Sequence, residues 1–122
     1  MSPLLDENLD LSFLLDAGWL VAVCFGKYTV NLKFHKIDIA ISSQCEIRDP
    51  AGTVEFCDPV QNPGALTTFA ALLESEIQSY RLTQRPELIL RFSNGCELSL
   101  IDHQVGYESF VIYRERGSFL AV

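Results

Sequence analysis

One stretch of the chain concentrates side chains that are suited to chemistry: Asp102, His103, Tyr107 and Glu108 lie close together in the sequence. An aspartate beside a histidine is typical of acid–base chemistry or of metal coordination, and Glu108 could join such a pair. An ordinary polar connection between strands would have the same composition, because most loops are inert. We therefore treat these four residues as candidate binding residues and assign none of them a catalytic or metal-binding role.

The remaining sequence offers no further chemical motif. The chain has four cysteines, Cys24, Cys45, Cys57 and Cys96, and none is spaced as in a zinc site. We expect them to be reduced thiols that act as small buried hydrophobic residues. No glycine-rich phosphate loop and no nucleophile motif is present. The sequence thus predicts no cofactor and no metal, and it favours a non-catalytic protein over an enzyme.

Charge and hydropathy limit the partners and the location. The net charge is −7 and the pI is about 4.6, which disfavours nucleic acid and is compatible with a basic protein partner. Many soluble proteins are acidic simply to stay dispersed. We find no apolar run of the ~18 residues that a membrane helix needs, and no secretory signal. We expect one cytoplasmic domain over residues 1–122, with no membrane contact.

Period-two alternation of apolar side chains predicts an antiparallel meander over residues 19–57. Gly26-Lys27 is suited to a two-residue turn that sets Trp19 opposite Phe34 and Val23 opposite Val30. The next hairpin pairs Leu32 with Ile39. A turn at residues 49–52 pairs Ile47 with Val54. At the start of the chain, leucines predict a helical turn or two over residues 8–16.

A helical spacing of apolar residues follows the meander, formed by Phe69, Leu72, Leu73, Ile77 and Tyr80. The spacing predicts an amphipathic helix over residues 68–82, with Glu74 and Glu76 exposed. The sequence therefore indicates the α+β class: an antiparallel β-sheet of meander and hairpins packed against one amphipathic α-helix.

A second hairpin has a defined register. A three-residue loop at Ser93-Asn94-Gly95, with Gly95 left-handed in a bulge, pairs Leu90 with Leu98 and Leu88 with Leu100. It also sets Arg91 opposite Glu97 on the solvent side. Strands over residues 107–113 and 118–122 complete the predicted sheet. The last is a candidate edge strand, through which a homodimer could form.

The hairpin pattern carries a family resemblance. Residues 90–102, 107–110 and 23–34 resemble small uncharacterised bacterial proteins, in which a strand ends in Phe, an Asn/Asp-Gly turn follows, and a Tyr-Glu segment begins the next strand. The resemblance covers about half of the chain and its motif is structural. It implies a domain of unknown function, and for small acidic proteins of this kind an immunity protein that neutralises a toxin. It implies no catalytic residues.

Three functions remain open on the sequence. The first is a non-catalytic protein-binding domain, such as an acidic immunity or inhibitor protein with a basic partner. The alternative is a small-molecule-binding protein or enzyme with a pocket near Asp102, His103 and Glu108. The third is a structural protein that pairs with a copy of itself through its edge strand.

Overall fold

The computed structural model describes residues 10–26, 29–58, 66–83, 87–101, 110–114 and 117–121. A 3₁₀ helix and a short helix α1 accompany strands β1 to β10. Their bounds are as follows: 3₁₀ helix Ser12–Asp16, β1 Leu20–Phe25, β2 Val30–Phe34, β3 Ile37–Ile41, β4 Cys45–Arg48, β5 Val54–Cys57, α1 Leu66–Ala70, β6 Ile77–Thr83, β7 Glu87–Phe92, β8 Glu97–Ile101, β9 Phe110–Arg114 and β10 Gly117–Ala121.

The strands form two five-stranded antiparallel sheets, in the orders β1-β2-β3-β9-β10 and β5-β4-β8-β7-β6. An isolated antiparallel bridge between Trp19 and Glu76 joins the β1 edge of the first sheet to the β6 edge of the second. Backbone hydrogen bonds continue this junction, because Leu20 N–H donates to Ser75 O at 2.9 Å.

Both sheets contribute to one apolar core. In β2, β3 and β8, and in β7 from Leu88 onward, every second side chain is buried, as expected for strands with one wet face. The buried cluster unites Leu32 and Ile39 of the first sheet with Leu90 and Leu98 of the second. The rings of Phe34 and Phe92 stack across the two sheets with centroids 6.3 Å apart. The core is therefore sheet against sheet.

The predicted α+β class, with an amphipathic helix over residues 68–82, is wrong. Helix α1 ends at Ala70, and Glu74 adopts a left-handed φ of 67° after a turn. The chain then forms β6, where Tyr80 pairs with Leu90 and Leu82 with Leu88. The apolar residues of α1, the turn after it and β6 happen to follow one helical spacing. The pairing of β6 with the apolar strand β7 overrides this local preference.

The predicted meander over residues 19–57 is also wrong in two respects. After β3 the chain crosses to the second sheet, with Ser43 buried at the crossover. The β4–β5 register is shifted by one residue, so that Arg48 faces Val54. Thr53 belongs to the loop between β4 and β5, and its N–H donates to Asp49 Oδ1 at 2.9 Å. Gly52 in the same loop adopts a φ of +94°.

The predicted β2–β3 and β7–β8 hairpins are confirmed. Leu32 pairs with Ile39 across β2 and β3. Leu90 pairs with Leu98 across β7 and β8, and Arg91 lies opposite Glu97. The bulged loop is present, with Gly95 at a φ of +93°. In the part of the chain that is described, β10 lies at a sheet edge, as predicted for the last strand.

The N-terminal segment closes one end of the core. Leu11, which immediately precedes the 3₁₀ helix, and Leu14, which lies within it, are both fully buried. The Leu11 N–H donates to the hydroxyl of Tyr80 on β6 at 3.1 Å. The predicted helical turn is thus confirmed within residues 12–16. Among the described residues, neither helix has the length and apolarity to cross a bilayer.

Candidate protein-binding surface

The four residues singled out by the sequence, Asp102, His103, Tyr107 and Glu108, lie outside the described residues. The other histidine, His35, is exposed in the turn between β2 and β3. Across the described ranges, no three or more His, Cys, Asp and Glu side chains come together in a way that could hold a metal ion. The described part of the chain does expose several large apolar side chains.

A β-bulge places Trp19 and Val21 on the outside of the molecule. The register of β1 against β2 shifts between Leu20 and Ala22, so Val21 is an extra residue. Leu20 faces Phe34 and is fully buried, whereas Trp19 and Val21 are 48% and 52% exposed. The predicted pairing of Trp19 with Phe34 is thus wrong. The predicted pairing of Val23 with Val30 is wrong as well, because Val23 lies opposite Leu32 and Phe25 lies opposite Val30. A bulge re-aims side chains in this way, and no turn residue in the sequence signals it.

Trp19 is held in place by the neighbouring turn. Its ring meets the His35 ring edge-on, with centroids 4.3 Å apart and an interplanar angle of 70°. Gly18 permits this approach, because a Cβ built there would lie 2.8 Å from the His35 Cβ. The Lys36 N–H also donates to Ala17 O at 3.0 Å. The indole therefore has a fixed position although nearly half of it is exposed.

Two carboxylates accompany the indole. Glu76 is the bridge partner of Trp19, and side chains of directly opposed strand residues have Cβ atoms about 4.5–5.5 Å apart. The Glu74 N–H donates to Leu20 O at 2.9 Å, which places Glu74 beside the same strand. The Glu76 N–H donates to Ser93 Oγ at 3.0 Å. Both acidic residues are exposed, as predicted, although on a turn and a bridge instead of a helix.

We define the tryptophan surface as the exposed residues at this junction of the two sheets: Trp19, Val21, Leu73, Glu74 and Glu76. Its apolar members are large side chains that the fold leaves uncovered, Leu73 being 39% exposed. Tryptophan is enriched at the energetic centres of protein interfaces. An indole face beside carboxylates is suited to a lysine or arginine side chain, through cation–π attraction and charge pairing.

Comparison with known proteins assigns the chain to a family. Residues 17–122 match the model of a family of unknown function, DUF6188. The chain belongs to the DUF6188 family. The match includes every residue of the tryptophan surface, whereas Leu11 and Leu14 precede it. Neither a curated protein nor a solved structure matches this DUF6188 chain.

Family membership confirms the prediction of an uncharacterised domain family, and it adds no activity to the DUF6188 chain. The sequence alone pointed to Glu74 and Glu76 as exposed but missed Trp19, because strict alternation made it a core residue. The available signal was Gly18 immediately before Trp19, a residue type that marks close backbone approach.

Proposed function

We propose that this chain is a non-catalytic, cytoplasmic protein-binding domain of the immunity or inhibitor type, which binds a basic partner protein through the tryptophan surface. The observation that supports it is the indole of Trp19, fixed against His35, 48% exposed and bridged to Glu76. The net charge of −7 adds a long-range attraction for a cationic partner and speeds association.

The apolar part of the surface supplies affinity in this proposal. Trp19 and Val21 already stand in their exposed positions without a partner, so binding costs little side-chain ordering. Glu74 and Glu76 supply specificity, because their carboxylates would be paired by lysine or arginine and repelled by acidic residues. Lys36 is exposed next to His35, so the surroundings of the indole are not uniformly acidic.

The first experiment identifies the partner by photo-crosslinking from a defined position on the tryptophan surface. A photo-crosslinking residue replaces Leu73 in the native host, which leaves the Trp19 indole in place, and a control chain carries it at Tyr113, an exposed aromatic residue of β9. The proposal expects a basic protein that is cross-linked from position 73 and not from position 113. An acidic partner, or the same proteins from both positions, would contradict it.

The second experiment measures affinity for that purified partner. Truncation of a central interface tryptophan costs about 2 kcal/mol or more, so Trp19→Ala should weaken Kd by about 30-fold or more. Glu76→Gln should weaken Kd less and flatten its salt dependence. Phe56→Ala, at a 57% exposed residue of β5, is the matched control and should leave Kd unchanged. Equal Kd values for Trp19→Ala and the unmodified chain would refute the proposal.

A further inference from the structure

Cys45 and Cys57 lie directly opposite each other on β4 and β5. The Asp49 N–H donates to Thr53 O at 2.9 Å, so Asp49 and Thr53 form a hydrogen-bonded pair in the same register. Such pairs alternate along an antiparallel ladder, and the alternation makes Cys45 and Cys57 a hydrogen-bonded pair, with Cα atoms about 5.5 Å apart. Disulfides most often span a Cα separation of about 5.5–6 Å.

We propose that Cys45 and Cys57 form a redox modification site, at which a small-molecule disulfide such as oxidised glutathione converts the two thiols into a reversible cross-strand disulfide. Both thiols are free in this structure and both are buried. The bond would close the loop over residues 45–57 and fasten the edge strand β5 to β4. This inference does not depend on the tryptophan surface.

The two thiols are chemically unequal. The Cys45 thiol donates a hydrogen bond to Cys57 sulfur, which lowers the pKa of Cys57. The same hydrogen bond, followed by burial, raises the pKa of Cys45 well above its usual value. Cys57 therefore supplies the thiolate, the nucleophilic form of cysteine. It lies on a four-residue edge strand that pairs with β4, so a local opening of β5 can expose it.

The reaction balances as a two-step exchange. The Cys57 thiolate attacks one sulfur of oxidised glutathione, forms a mixed disulfide and releases one glutathione thiolate. Cys45 loses its proton and attacks the Cys57 sulfur, which releases the second glutathione. The protein gives up two electrons and two protons, and oxidised glutathione becomes two molecules of reduced glutathione. Excess reduced thiol reverses both steps.

The other cysteines provide internal controls. Cys24 is exposed on β1, and Cys96 is buried beside the β7–β8 loop, where burial raises its pKa. The exposed Cys24 will take up glutathione as a mixed adduct, so the test uses a Cys24→Ser background. Trypsin cleaves after Arg48, which separates Cys45 from Cys57 and leaves a disulfide as the only link between two peptides.

The experiment incubates the folded Cys24→Ser protein with oxidised glutathione and follows intact mass, tryptic peptides and Tm. We expect a species lighter by two hydrogen atoms, a Cys45–Cys57 linked peptide, and a Tm raised by about 5–10 °C that excess dithiothreitol reverses. The rate of disulfide formation should rise with pH and reach its plateau at a pH below the pKa of an ordinary cysteine, because the pKa of Cys57 is lowered. In Cys45→Ala the Cys57 adduct should stop at the mixed disulfide.

Three results would overturn the proposal. The first is a linked peptide that forms only in urea, which would mean that the folded pair is inaccessible. The second is a linked peptide that joins Cys96 in place of Cys45. The third is a linked Cys45–Cys57 species that excess dithiothreitol does not return to the two thiols, which would rule out a reversible site.

Discussion

Gly18 determines how Trp19 is held at the surface. Its φ of +82° lies in the left-handed region, and His35 approaches the position that a Cβ would occupy to 2.8 Å. A residue with a side chain would meet both a backbone penalty and a collision. Gly52 provides a comparison, because its φ of +94° is similar and no atom lies within 4 Å of a Cβ built there.

The two glycines should therefore respond differently to alanine. Gly52→Ala should lower the free energy of unfolding by about 1–2 kcal/mol, the cost of a left-handed L-residue. Gly18→Ala adds the displacement of His35, so its loss should be about 2–4 kcal/mol. Urea denaturation measures both, and Trp19 emission should shift only in Gly18→Ala. Equal losses would show that the close approach to His35 does not constrain the fold.

At the scale of elements, the predictions that held rested on features that determine register locally. The β7–β8 hairpin has Gly95 at the left-handed position and apolar residues that match on one face. The β1–β2 hairpin failed for two reasons. Val23 lies opposite Leu32, two residues from the register that a Gly26-Lys27 turn predicts, and the bulge at Val21 leaves no mark on a two-residue period. The tryptophan surface was missed for the second of these reasons, since that period assigned Trp19 to the core.

The segment after α1 failed for a different reason. Helical and extended periods both fit residues 69–80, and local pattern cannot weigh pairing with β7, which is distant in sequence. Glu74 shows the difference most clearly. In a helix over 68–82 it would be an interior residue, whereas the structure gives it a φ of 67° at the end of a turn.

A glycine substitution at Glu74 should change the free energy of unfolding in opposite directions for a helix interior and for a left-handed turn residue. Glycine in a helix interior costs about 1 kcal/mol, but at a left-handed residue it relieves strain. We expect Glu74→Gly to raise the free energy of unfolding by about 0.5–1 kcal/mol. Glu74→Ala, which removes the same charge and keeps a Cβ, is the control and should change stability by less than about 0.5 kcal/mol. If chemical denaturation shows that Glu74→Gly is destabilising, the result would favour a helix over residues 68–82 instead of the turn.

At the scale of the whole molecule, two sheets share one core and one junction. The stack of Phe34 on Phe92 and the bridge of Trp19 to Glu76 each join residues of different sheets. Neither sheet can bury its apolar face without the other, which is the general reason for layered folds. The two sheets should therefore unfold together.

Cooperative unfolding can be tested with two probes, because the single tryptophan lies at the junction while far-UV circular dichroism reports both sheets. We expect coincident urea transitions by both probes. Phe92→Ala, at a fully buried residue of β7, should lower the free energy of unfolding by about 3–5 kcal/mol and move both transitions equally. Phe56→Ala, at an exposed phenylalanine, should move them by less than about 1 kcal/mol. A circular dichroism transition in two steps, of which Phe92→Ala shifts one, would mean that the sheets are separate folding units joined only by the bridge.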